Sequence, residues 1–180
     1  MAKYAVIVVD MLNDFVTGAL GCERGRDIVP HLEKLIKAAR EKNIPVIYAN
    51  DCHIKGVDHE LKLWGDHAIK GTKGAEVIPE LEPGEGDYVV PKRRYSGFYQ
   101  TDMTLLLKEL SVDTLIITGL HAHMCCRHTA ADAYYLGYDI EVPRETTDSF
   151  TKQDYESGLK YLEEVYGANI CSLDELISKF

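Results

Sequence analysis

Four residues with strong metal-ligating side chains stand close together in this sequence: Asp51-x-His53, then five residues before His59 and seven more before His67, with Trp64 among them. Imidazole and carboxylate suit zinc first, with iron or manganese as further fits, and a loop rich in turn residues can fold back to aim such groups at one divalent ion. Taken singly, each reads as a solvated loop residue. Taken jointly, Asp51, His53, His59 and His67 point to one metal centre. Asp51 and His53 directly follow a β-like run, Pro45 to Asn50. They are therefore expected at a strand's carboxyl end, where open α/β sheets place their ligands.

Three other residues carry chemistry. Asp10 ends the first apolar run, so its carboxylate should emerge at the sheet's carboxyl edge, either as a buried general base or as the cap of the next turn. Lys92 follows a third run, Asp87 to Pro91, and opens a basic triplet that reads equally as solvated surface. Beside a thiol and a carboxylate, its charge would lower the thiol pKa. Cys125 stands six residues after Gly119, at the start of an expected helix, where amides and the helix dipole stabilise a thiolate and a developing oxyanion. The alternative for a cysteine there is a small buried hydrophobe, and Cys126 fits it, because neighbours on a helix point about 100° apart.

The elements that must hold these residues are legible as alternation. Tyr4 to Val9, Pro45 to Ala49, Tyr88 to Val90, Thr114 to Thr118 and Ile140 to Val142 are continuous apolar runs, as expected for strands buried on both faces. Helical periodicity links Ile28, Leu32, Leu35, Ile36 and Ala39, stopping near Asn43. Further helices are expected over Met103 to Leu110 behind a Thr101 or Asp102 cap, Thr129 to Leu136 before Gly137, and Tyr155 to Val165 before Gly167. Alternation of this kind implies a parallel sheet between helices with right-handed crossovers. The stretch from Asp51 to Gly86 exceeds an ordinary connection and is expected to carry function.

With 180 residues and 46% hydrophobic composition, one domain spanning residues 1–180 is expected. A net charge of -9 argues against sequence-independent nucleic-acid binding, which needs a basic face, and favours a small-molecule substrate. Five cysteines, Cys22, Cys52, Cys125, Cys126 and Cys171, form no framework, so reduced thiols are expected. The opening residues do not read as a signal peptide and no run reaches membrane-spanning length, so a cytoplasmic location is expected.

Asp10 with Asn13-Asp14-Phe15, Lys92 with Arg94-Tyr95-Ser96-Gly97-Phe98, and Gly119 through Cys125 to Thr129-Ala130 and Asp132-Ala133 together resemble the isochorismatase-like cysteine hydrolases. The metal-type loop, followed by Gly71-Thr72-x-Gly74-Ala75, is similar to that of the nicotinamidase branch. The resemblance implies a three-layer α/β/α fold on a six-stranded parallel sheet and an Asp10, Lys92, Cys125 triad. It also implies a cis peptide between Leu120 and His121 that would aim the amides of His121 and Cys125 at an oxyanion. The vinyl-ether-cleaving members lack the cysteine, so its presence favours an amidase, with nicotinamide the first expectation and Phe15 and Trp64 flanking its ring. Assembly into a homo-oligomer is an expectation of the family only.

Leu12, Gly65, His123 and Cys126 depart from the family's usual glutamine, proline, aspartate and valine, which bears on substrate more than on chemistry. An N-carbamoylsarcosine amidase, using Arg94 or Arg127 for an anionic substrate, is the sibling alternative. A non-catalytic metal-binding member of the fold is the alternative of another class.

Overall fold

Ala5, Ile7 and Val9 contribute to one hydrophobic cluster and Val6 and Val8 to another, and all five are fully buried. That is the pattern of a strand covered on both faces, and it explains why the run is continuously apolar rather than alternating. A computed structural model describes residues 3–180. Its sheet is parallel, with β1 (Tyr4–Val9), β2 (Val46–Asp51), β3 (Tyr88–Lys92), β4 (Thr114–Leu120), β5 (Asp139–Pro143) and β7 (Asn169–Cys171) in the order β3-β2-β1-β4-β5-β7. A two-residue strand, β6 (Thr147–Asp148), pairs with the end of β4 and brings the total to seven. The main path thus has the six strands expected. β7 escaped the apolar-run reading because it is three residues long and only Cys171 is fully buried.

Eight α-helices accompany the sheet among the described residues: α1 (Asn13–Val16), α2 (Glu23–Asp27), α3 (Val29–Glu41), α4 (Leu61–Trp64), α5 (Met103–Glu109), α6 (Cys125–Tyr135), α7 (Lys152–Tyr166) and α8 (Leu173–Ile177). Leu32, Leu35, Ile36 and Ala39 of α3, with Leu173 and Leu176 of α8, pack in the cluster that contains Val6 and Val8. Met103 and Leu107 of α5, Ala130 and Ala133 of α6, and Leu159 and Leu162 of α7 join Ala5, Ile7 and Val9 on the other face. Such spacing gives each helix one apolar stripe, and truncating one of these leucines to alanine costs about 2–5 kcal/mol. α7 begins at Lys152, three residues before the expected start, because Thr151 caps it by accepting from the Asp154 N–H at 3.1 Å. It ends at Gly167 in the left-handed conformation.

Candidate active site

The strand order reverses between β1 and β4, so a crevice opens above their carboxyl ends. Four side chains arrive there from four adjacent strands: Asp10 just after β1, Asp51 as the last residue of β2, Lys92 as the last of β3, and Cys125 at the start of α6 after β4. Asp10 has a φ of 52°, a left-handed conformation uncommon for residues other than glycine, and this turns its carboxylate inward. Gly119 has a φ of 93°, and a Cβ there would lie 2.0 Å from the Val9 carbonyl oxygen, so only glycine lets β4 run this close to β1. Gly158 does the same for α7, where a Cβ would meet the His123 N at 2.8 Å. The peptide bond between Leu120 and His121 is cis.

Lys92 Nζ donates to Asp10 Oδ2 at 2.7 Å and to Asp51 Oδ1 at 2.6 Å, while the Asp51 N–H donates to Asp10 Oδ1 at 2.7 Å. Asp10, Asp51 and Cys125 each offer an atom within 4.8 Å of the others. Burial, reinforced by the neighbouring Asp51 carboxylate, pushes Asp10 up to about 6 against the pull of Lys92. Burial also raises Asp51, but Lys92 and His53 outweigh it and hold that carboxyl below its usual range. Lys92 stays firmly charged, since its two carboxylates overcome the cost of burial. Cys125 corrects one expectation: burial drives its thiol well above the ordinary value, and Lys92, though it acts in the lowering direction, does not prevail. The resting pair is therefore a protonated thiol beside a carboxylate able to take its proton. Cys126 faces away, its Sγ 3.5 Å from the Thr118 carbonyl, with burial pushing it to about 12.

The loop after β2 brings a second group to the same crevice. Asp51, His53, Glu60 and His67 are all buried, each with a ligand atom within 4.8 Å of the others'. His59 is not among them; it is exposed, and the buried acid at the next position stands where the histidine was expected. The turn entering α4 points residue 59 to solvent and residue 60 inward. The donors present suit a divalent ion. Asp51 Oδ2 and His53 Nε2 are buried with no hydrogen-bond partner among the described residues. His53 Nδ1 faces Asp58 Oδ2 at 3.0 Å and His67 Nδ1 faces the Gly65 carbonyl at 2.9 Å, which assigns the N–H to Nδ1 in both rings and leaves Nε2 as a lone-pair donor. Arg93 holds Asp58 with hydrogen bonds from its guanidinium and keeps that carboxyl well below its usual range. Burial and Asp51 push Glu60 up to about 7. Asn13 and Asp14 clamp this loop, through the Lys73 and Glu76 carbonyls and the Ala68 N–H respectively.

Asp51, Glu60 and His67 share with Cys125 the lining of one small cavity, which Phe15 and Trp64 also line. Trp64 is held by its Nε1–H donating to Tyr95 Oη at 3.0 Å. Glu60, Asp58, Tyr95, Phe150 and the ring of His121 were not singled out from sequence. Asp58 and Glu60 carried a usable signal, being carboxylates in a stretch already rich in ligands; Phe150 carried none.

A family model described as the isochorismatase domain matches residues 4–175. Among solved structures, N-carbamoylsarcosine amidase from Thermoplasma acidophilum is 40% identical with a TM-score of 0.90, over 96% of this chain and 97% of that one. Nicotinamidase PncA from Bacillus subtilis is 33% identical with a TM-score of 0.90, over 94% and 99%. Pyrazinamidase of Pyrococcus horikoshii, solved in complex with zinc, is 28% identical with a TM-score of 0.87, over 94% and 99%. With the fold, the strand-end cluster and a domain match covering nearly all of its length, this chain belongs to the isochorismatase family of hydrolases.

Proposed function

We propose that this protein is a cysteine amidohydrolase that converts a small carboxamide, nicotinamide first, to the carboxylate and ammonia through a thioester on Cys125. The observation that carries this reading is the meeting, at one cavity, of a thiol flanked by a carboxylate and lysine with a set of metal-type donors whose free atoms are buried beside it. Asp10 takes the Cys125 proton as sulfur bonds to the carbonyl carbon. The backbone N–H groups of His121 and Cys125 receive the oxyanion, each such donor being worth about 3 kcal/mol in comparable sites. Asp10 returns the proton to the nitrogen, the C–N bond breaks and ammonia leaves. Water then attacks the thioester, giving its proton to Asp10, and the thiol is restored. Lys92 offsets part of the repulsion between the two carboxylates and keeps Asp10 oriented throughout.

Asp51, His53, Glu60 and His67 would hold a zinc ion, which when bound supplies a Lewis-acid contact for a ring nitrogen. Phe15 and Trp64 would flank the ring. A cytoplasmic location is part of the same proposal, in keeping with five cysteines none of which is paired with another.

A carbamoyl substrate is the second reading, favoured by the 40% identity to the Thermoplasma acidophilum amidase. Against it, neither arginine proposed for an anionic substrate lines the cavity: Arg127 lies over the Tyr161 ring at 3.6 Å and Arg94 lines outer grooves. Ammonia release from nicotinamide and from N-carbamoylsarcosine, each with and without chelator, tests both. Nicotinamide turnover that weakens on chelation supports the first reading; turnover of N-carbamoylsarcosine alone overturns the substrate, and ammonia from neither overturns the reaction.

A further inference from the structure

The chemistry assigned to His121 uses only its backbone N–H, yet its side chain is the least satisfied polar group in the cavity. The residue is 2% exposed, and among the described residues neither Nδ1 nor Nε2 has a hydrogen-bond partner. A buried polar group left unpaired costs about 1–3 kcal/mol. The Asp51 and His53 orphan atoms belong to the metal-type group, but His121 is not part of it. The ring is held in place by aromatic contact, stacked on Phe150 with centroids 3.9 Å apart and edge-on to Phe15 at 6.2 Å. Phe15 also meets His67, at 5.6 Å, so the cavity carries polar groups in two places around that ring. Burial, with His123 nearby, holds His121 down to about 3, so at neutral pH its imidazole has one N–H and one lone pair to offer.

We propose that the His121 side chain is a specificity-determining residue that hydrogen-bonds a polar atom on the non-reacting part of the amide substrate while the carbonyl sits at Cys125. The proposal rests on the amidohydrolase reading. It selects flat amides with a hydrogen-bonding atom besides any ring nitrogen that a metal would hold, such as diazine carboxamides or N-carbamoyl compounds, over plain aryl amides of the same size.

Two measurements test it. In ¹⁵N-labelled Cys125→Ala protein, with the His121 ring nitrogens assigned by their loss in a His121→Phe version, pyrazinamide, which carries a second ring nitrogen, and N-carbamoylsarcosine are titrated separately. A His121 nitrogen resonance should move with at least one of them and stay put with benzamide. In the otherwise native enzyme, His121→Phe keeps the aromatic stack but removes both nitrogens. Its kcat/KM should fall about tenfold more for the polar substrate than for benzamide, chiefly through KM, with His121→Gln recovering part of that difference. Nitrogen resonances unmoved by both probes overturn the proposal, as does an equal fall for polar substrate and benzamide, the mark of a merely structural ring. Absence of ammonia release from the native enzyme would defeat the amidohydrolase reading instead, and the titration would still decide whether His121 binds these probes.

Discussion

The two halves of the candidate site are built in different ways. The Asp10, Lys92 and Cys125 cluster hangs on strand ends whose spacing follows from sheet register: Val9 pairs with both Ala49 and Gly119, and Asp51 pairs with Lys92. The metal-type group hangs on a long connection in which Asp51 alone belongs to a strand, and where one step in a turn replaced His59 by Glu60. Strand ends place a side chain through many ladder hydrogen bonds, so its position is insensitive to local detail. A loop places it through a few caps and clamps, such as Asp58 on His53 and Asn13 and Asp14 on the segment around 68–76. Asp51 joins the halves, its Oδ1 accepting from Lys92 Nζ while its Oδ2 lies with the metal-type group.

That contrast can be broken at either half. The largest effect is expected at the strand ends: Cys125→Ala should lower ammonia release by roughly 10³-fold or more while leaving metal content unchanged, and Cys126→Val should stay within about twofold of the native rate. Loss of bound metal on removing Cys125 would show that the halves are not separate. On the loop side, His53→Ala or chelation should strip the metal, read by elemental analysis, and raise the KM for nicotinamide roughly tenfold to hundredfold, with alkylation of Cys125 persisting. A metal content untouched by His53→Ala would remove that residue from the ligand set.

The pH profile sharpens the account of Asp10. Because its pKa is raised to about 6, the proton it picks up as pH falls blocks transfer from the thiol. Hence kcat/KM should decline roughly tenfold per pH unit on the acid side of about 6 and be free of that limb above it. An acid limb near an ordinary aspartate value of about 3.9 would mean that burial does not raise Asp10 in the working enzyme, and an acid limb that survives in Asp10→Asn would mean that Asp10 is not the base. The smallest effect belongs to residue 59: His59→Ala should leave metal stoichiometry as it is, whereas Glu60→Ala should weaken metal binding roughly tenfold or more. The reverse result would restore the histidine to the centre.

The amino-acid sequence by itself determined the parallel sheet, because runs such as Tyr4 to Val9 and Thr114 to Thr118 are too uniformly apolar to sit anywhere but between two helical layers. It likewise determined that Asp10, Asp51, Lys92 and Cys125 stand at carboxyl ends, since each follows a run directly or after one tight turn. Tertiary structure alone decided which neighbour of a turn faces inward, Glu60 over His59. It also decided that Lys92 bridges two carboxylates and that burial outweighs its lowering pull on the Cys125 thiol, and that His121 stacks on Phe150 from a segment 29 residues away. β7 belongs to the same class, being too short to show a period of its own. The reason is physical: burial patterns are carried by many residues acting alike along the chain, whereas a single side chain's environment is set by whichever distant segments fold against it.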